Sequence, residues 1–246
     1  MALKADPSDQ ELLLELQSLD SLAQRLAARR SRLPEQVTVD ELDADRANRE
    51  RLVGEQIGAL EDARAELART ESDVAVVDAR IARDEQRLQA SSSVRDIQGL
   101  EQELQALARR KSELEDIELV VMETVEERES ALDSTRSALE DLTGRTASAR
   151  AARDAALDGL EREASEATER RTEMAGRVPG ELLALYEKQR ARYGVGASLL
   201  RGGVSTAAGV ALTASDLTAV RAAAPDDVLL CPESSAILVR TAESGL

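Results

Sequence analysis

Residues 89–125 read QASSSVRDIQGLEQELQALARRKSELEDIELVVMETV, and the reading of this stretch decides the fold. Ala90-Ser91-Ser92-Ser93 is a short polar break between two helical patterns. Directly after it, Ile97, Leu100, Leu104, Leu107, Leu114, Val121 and Val125 lie on one a/d track, the seam of a coiled coil. The track continues through Leu132, Leu139, Leu142, Ala149, Ala156 and Leu160. Lys111, Glu118, Arg128, Thr135 and Arg153 share it; polar seam positions lower stability but help to fix register and partner choice. The helix is expected to run to about Gly176, before Val178-Pro179-Gly180 stops it.

Upstream of the break, Val53, Leu60, Leu67, Val74, Ile81 and Leu88 recur every seventh residue, which predicts a second helix from about Val39 to Ala90. A first helix is expected after Pro7-Ser8-Asp9-Gln10, whose side chains can cap it. Its seam is Leu12, Leu16, Leu19, Ala23, Leu26 and Leu33, with Arg30 as a polar interruption and Pro34 as its end. Lengths then select an arrangement. The third helix spans roughly 80 residues, or about 120 Å at 1.5 Å per residue. The first two together have a similar length, so they can lie end to end along the third. A short Ser-rich loop reverses the chain, giving a long antiparallel coiled-coil hairpin over residues 1–178. A parallel homodimeric coiled coil is the alternative, and it leaves the length match unexplained.

Composition agrees with long helices. The 246 residues are 33 % charged and 1 % aromatic, with two Tyr and neither Phe nor Trp, so narrow aliphatic seams must replace an aromatic-rich core. The net charge is −16, opposite in sign to what general attraction to nucleic acid favours. Neither an apolar leader nor a run of about 18 apolar residues is present, and Cys231 is the single cysteine; a cytoplasmic protein is expected.

From residue 179 the texture changes. Gly180 to Arg190 predicts a short helix containing Tyr186, ended by Gly194 and Gly196. Beyond it come the β-type runs Val228-Leu229-Leu230 and Ala236-Ile237-Leu238-Val239. A helix over Ala214–Ala223 is expected, capped by Thr213 or Ser215. Residues 181–246 carry six Lys/Arg against seven Asp/Glu, a net of −1, which leaves −15 on residues 1–180. A second domain over 179–246 is therefore expected, a small α+β module. It is too small for a large core of its own, and modules of this size usually need a staple.

Taken in order, Arg95-Asp96-Ile97-Gln98-Gly99-Leu100-Glu101-Gln102-Glu103-Leu104 with Leu114-Glu115-Asp116, then Leu185-Tyr186-Glu187-Lys188-Gln189-Arg190, then Ile237-Leu238-Val239-Arg240, resemble bacterial coiled-coil proteins that end in a C4-type zinc ribbon, particularly the actinobacterial ones. The resemblance implies a hairpin followed by a zinc-ribbon-like module, and a role as adaptor or nucleic-acid-binding protein. It also implies two C-x-x-C knuckles holding a structural zinc. Here the knuckle positions are Ser205, Ala208, Cys231 and Ser234. One thiol, two hydroxyls and a methyl group do not make a zinc site, so a degenerate, metal-free ribbon with no cofactor is expected. Such a module must lean on the base of the hairpin, on the 181–193 helix or on a partner. Cys231 is read as a small buried residue without the cationic partner that an activated thiolate needs.

Catalytic chemistry finds little support. The chain has no histidine and no phosphate-binding loop, and its carboxylates alternate with Arg and Lys along helical faces. A non-enzymatic adaptor that docks on protein, in transcription or translation, is the favoured expectation, with no membrane and no small-molecule substrate involved. The alternative is direct RNA or DNA binding by the terminal module, through Arg190, Arg192, Arg201, Arg221 and Arg240.

Overall fold

A computed structural model of the chain describes residues 3–246. Three helices come first: α1 (Pro7–Ser31), α2 (Pro34–Ala90) and α3 (Val94–Arg177). The long helices form a coiled-coil hairpin, and a small sheet module follows. None of the helices among the described residues is long and apolar enough to cross a membrane.

Contacts divide the chain into two compact units. The first is Gln36–Ala151, most of α2 and the facing part of α3. The expected positions Leu60, Val125 and Leu132 are buried together with Ala63, and Val53, Leu67 and Ile57 pack against them. Cross-helix ion pairs fix the antiparallel direction, because positions rise along α2 as they fall along α3. Asp43 pairs with Arg150 at 2.8 Å, Arg64 with Glu129, and Asp78 with Lys111 at 2.7 Å. Of the expected polar seam positions in this unit, Thr135 is buried and donates its hydroxyl to the Ala131 carbonyl one turn back, at 3.0 Å. Arg128 departs from expectation and is exposed: its guanidinium stays in water rather than entering an apolar seam without a partner.

The second unit joins the described residues up to Glu35 to Ala152–Leu246. It contains α1, the last part of α3, α4 (Gly180–Tyr193), β1 (Ala197–Arg201), β2 (Val204–Ser205), β3 (Val210–Ala211), α5 (Ala214–Ala222), β4 (Leu229–Leu230), β5 (Ile237–Val239) and a 3-10 turn at Ala242–Ser244. The strand order is β3-β2-β1-β5-β4, with β1 and β5 parallel and the other neighbours antiparallel. All three residues of β5 are buried, because both faces of the sheet are covered. On one face Ala197, Ile237 and Val239 pack against Leu13 and Leu16 of α1 and Leu182 and Tyr186 of α4. On the other, Leu200 and Leu238 pack with Leu212, Cys231 and Val220 of α5.

Three local expectations change. Pro34 is the first residue of α2 rather than only the end of α1, since a proline without an N–H is well placed at a helix start; α2 therefore begins at Pro34 and not at Val39. The start of α1 is set by Asp6 and Pro7, and no side chain caps it; the Asp6 carbonyl accepts from the Asp9 and Gln10 amides, each at 3.0 Å. Gln10, expected as a capping residue, is buried, and its amide donates to the Ala5 carbonyl at 2.9 Å and the Pro225 carbonyl at 3.3 Å. Thr213, one of the two candidates, caps α5 by accepting from the Asp216 amide.

Candidate functional site

Two constellations stand out, both in the second unit. The first surrounds Asp20 of α1, which lies one turn after Leu16, off the leucine seam, and is buried. Three residues bond to it. Arg171 of α3 donates from Nε to Oδ1 at 2.7 Å. Arg190 of α4 donates from Nη1 to the same oxygen at 3.3 Å, and the Tyr186 hydroxyl donates to Oδ2 at 2.7 Å. Glu187 completes the set by accepting from both arginines. Beside it the Gln17 side-chain Oε1 accepts from the Gly196 amide at 2.7 Å and from the Ala197 amide at 3.3 Å, where the chain enters β1. One cluster thus ties α1, α3, α4 and β1 together.

Its electrostatics follow from the geometry. Burial and the bond to the Asp20 carboxylate push the Tyr186 hydroxyl far above its ordinary 10.0, because an ionised phenol there would face a carboxylate in a dry site. Burial pushes Glu187 up, but hydrogen bonds from Arg171 and Arg190 outweigh it and hold the carboxyl below its ordinary 4.5. Gly196 completes the fit, since a Cβ there would stand 2.4 Å from the Tyr186 ring. Each of the five side chains has a partner within the cluster, which makes it a joint between elements.

The second constellation comprises the four knuckle positions. Ser205-Thr206-Ala207-Ala208-Gly209 and Cys231-Pro232-Glu233-Ser234-Ser235 form matching turns. In each, the first carbonyl accepts from the fifth amide at 2.8 Å, and the fifth residue is left-handed: Gly209 at φ +65° and Ser235 at φ +57°. The turns meet at Cys231, whose buried thiol receives hydrogen bonds from Ser205 and Ser234. Burial pushes the thiol up, and these hydroxyl bonds outweigh it, leaving the thiol below its ordinary 9.0. Ser205 is fully buried, and its hydroxyl lies 2.8 Å from that of Ser198. This donor set does not fit zinc. Neutral hydroxyls already tied into hydrogen bonds replace two thiolates, and Ala208 offers nothing. Among the described residues no group of three or more His, Cys, Asp or Glu could hold a metal ion.

The five arginines have separate surroundings. Arg190 belongs to the Asp20 cluster. Arg240 donates to the carbonyls of Ala223, Ala224, Pro225 and Asp227 at 2.8 to 3.2 Å, clamping the exit of α5. Arg201 pairs with Glu243, Arg192 lies 5.3 Å from the Tyr193 ring centre, and Arg221 is exposed. Asp20, Gln17 and Arg171 lie outside what sequence reasoning singled out; the charged residue following Leu16 by one turn was the available signal.

Comparisons with known proteins place this architecture. Residues 16–194 match the CT398-like coiled coil hairpin domain. The chain is 33 % identical over 240 residues to the Mycobacterium tuberculosis protein Rv2229c, described as uncharacterised, covering 97 % of this chain and 98 % of that one. A solved structure from Mycobacterium smegmatis is similar at TM-score 0.85 and 35 % identity, over 97 % of this chain and all of that one. CT398 from Chlamydia trachomatis shares the fold at TM-score 0.66 and 19 % identity, over 95 % of this chain and 98 % of that one. These findings carry the hairpin and give no support to the zinc ribbon of the sequence resemblance. By sequence and by fold, the chain belongs to the CT398-like coiled-coil hairpin family.

Proposed function

We propose that the chain is a non-enzymatic adaptor of the cytoplasm that works by offering surfaces of its hairpin and terminal module to a protein partner. One observation carries the reading: the buried polar residues of the terminal unit hold its own elements together. Asp20, Arg171, Glu187, Arg190 and Tyr186 bond to one another, and Ser198, Ser205 and Cys231 close the sheet module from within. What remains for function is the outside of the molecule.

The matching turns support a further part of this reading. The module is a ribbon-like fold in which hydrogen bonds among hydroxyls and a thiol occupy the place of a metal. The N-terminal segment then acts as the staple: Ala5 N–H donates to the Asp226 carbonyl at 2.9 Å, and Val228 N–H to the Leu3 carbonyl at 3.0 Å. Nucleic-acid binding through the arginines is less supported, because Arg190 and Arg240 already bond within the unit and Arg201 is paired.

Immobilised full-length chain, incubated with lysate and treated with nuclease, tests the proposal. The adaptor reading expects a defined protein to be retained in near-stoichiometric amount after nuclease. Retention of no protein, or retention abolished by nuclease, contradicts it.

A further inference from the structure

On a water-facing helix, large apolar side chains normally stand singly. They do so elsewhere on this chain, as with Val37, Leu52 and Val76. Residues 117–122 of α3 differ. Ile117 is 46 % exposed, Leu119 60 %, Val120 62 % and Met122 42 %, while Val121 between them is buried in the seam. Helical spacing pairs Leu119 with Met122 and Ile117 with Val120 at i,i+3, so the segment is apolar well beyond the face that meets α2.

The charges around these side chains have one sign. Residues 113–127 contain seven Asp/Glu and no Lys or Arg. Glu113 and Glu115 pair with Arg110 and Lys111 one turn back. Asp116, Glu118, Glu123, Glu126 and Glu127 form no ion pair among the described residues, although the same helix supplies cross-helix pairs on both sides of this stretch, at Lys111 and Glu129. Leu119 and Met122 therefore share one short surface with the carboxylates of Asp116, Glu123, Glu126 and Glu127, while Glu118 lies on the seam track.

We propose that this surface, residues 116–127 of α3, docks a basic amphipathic helix of a partner protein, its apolar stripe on Leu119 and Met122 and its Lys/Arg flanks on Asp116, Glu123, Glu126 and Glu127. The inference rests on the adaptor reading and names its partner chemistry. Charge selects the occupant. A second copy would bring a chain of net charge −16, with an equally acidic segment, against this one. Nucleic acid and anionic lipid are repelled for the same reason. A cationic helix with an apolar face satisfies both features at once, in the manner of a helix laid on a helical surface.

The test uses the full-length chain and a fluorescent 20-residue helical peptide with Leu at i, i+3, i+4 and i+7 and Lys or Arg elsewhere; a second peptide carries Glu in place of the basic residues. Saturable binding of the basic peptide is expected, weakened about 10-fold or more by Leu119→Gln with Met122→Gln. It is also weakened by raising salt from low to about 0.3 M. Val76→Gln, at an isolated exposed position, leaves binding unchanged, and circular dichroism shows every variant still helical. Equal binding by the Leu119/Met122 variant, or binding of the Glu peptide, overturns the proposal. So does a concentration-dependent dimer in sedimentation that the same double substitution abolishes, which assigns the surface to a second copy. Lysate capture separates the two readings. A partner retained equally by wild type and double variant removes this surface and leaves the adaptor standing, whereas no partner with either removes the adaptor.

Discussion

Replacing Asp20 with Asn tests whether the polar joint holds the terminal unit together. Asn keeps the shape, but removes the charge and turns an amide N–H₂ toward groups that all donate: Arg171, Arg190 and the Tyr186 hydroxyl. Removing one partner of a buried ion pair costs about 3–5 kcal/mol. Both guanidiniums keep some access to water here, which places the expected loss near the low end, about 3 kcal/mol. The unit contains roughly 130 residues, for which the unfolding entropy is on the order of 0.27 kcal/mol/K, so the midpoint should fall by about 11 °C. Tyrosine emission is the natural assay: the chain has no Trp, and both tyrosines lie in this unit, with Tyr186 fully buried. A fall of less than about 3 °C would refute the reasoning, because it matches the ~1 kcal/mol of a solvated surface pair.

Three further perturbations probe neighbouring parts of the account. Gly196→Ala drives a methyl group into the Tyr186 ring and should destabilise the unit by at least ~1–3 kcal/mol in the same emission assay. Acidification should act through Glu187. Its folded carboxyl lies below the ordinary 4.5, so its contribution is present above that value and lost as pH falls through the folded one; Glu187→Gln should flatten this part of the pH–stability curve. Cys231 should react with an aromatic disulfide reagent at least ~100-fold more slowly in the native chain than in denaturant, since burial blocks access even though hydroxyl bonds favour the thiolate.

Much of the hairpin was legible because a seam between two helices is a one-dimensional pattern. Leu114, Val121, Val125, Leu132, Leu142 and Leu160 are all buried as their spacing required. The reading weakened where a helix has more than one neighbour. In α1 the track through Leu12, Leu16 and Leu19 describes one face. Leu13 and Asp20 are buried as well, because α1 also packs on β1 and β5. Periodicity along one helix does not register a second contact surface made by residues some 200 positions later.

The joint was hidden for the same reason. Asp20 meets Arg171 and Arg190 across 151 and 170 positions, and nothing local distinguishes those arginines from solvated ones. Arg240, equally ordinary in sequence, bonds through its guanidinium to one carbonyl in α5 and four in the α5–β4 connection. Of the knuckle positions, Ser205 and Ser234 lie close enough to Cys231 to favour its thiolate. What the spacing could not convey is that the Ser205 hydroxyl would pair with Ser198, a residue outside the knuckle positions.

The central claim is that polypeptide contacts, and no metal, hold the terminal module in its fold. Metal analysis of the purified full-length chain, combined with Tyr186 unfolding before and after chelator, tests it most directly. The account predicts zinc well below one per chain and the same unfolding midpoint with and without chelator. Stoichiometric zinc, with a midpoint that falls on chelation, would contradict it.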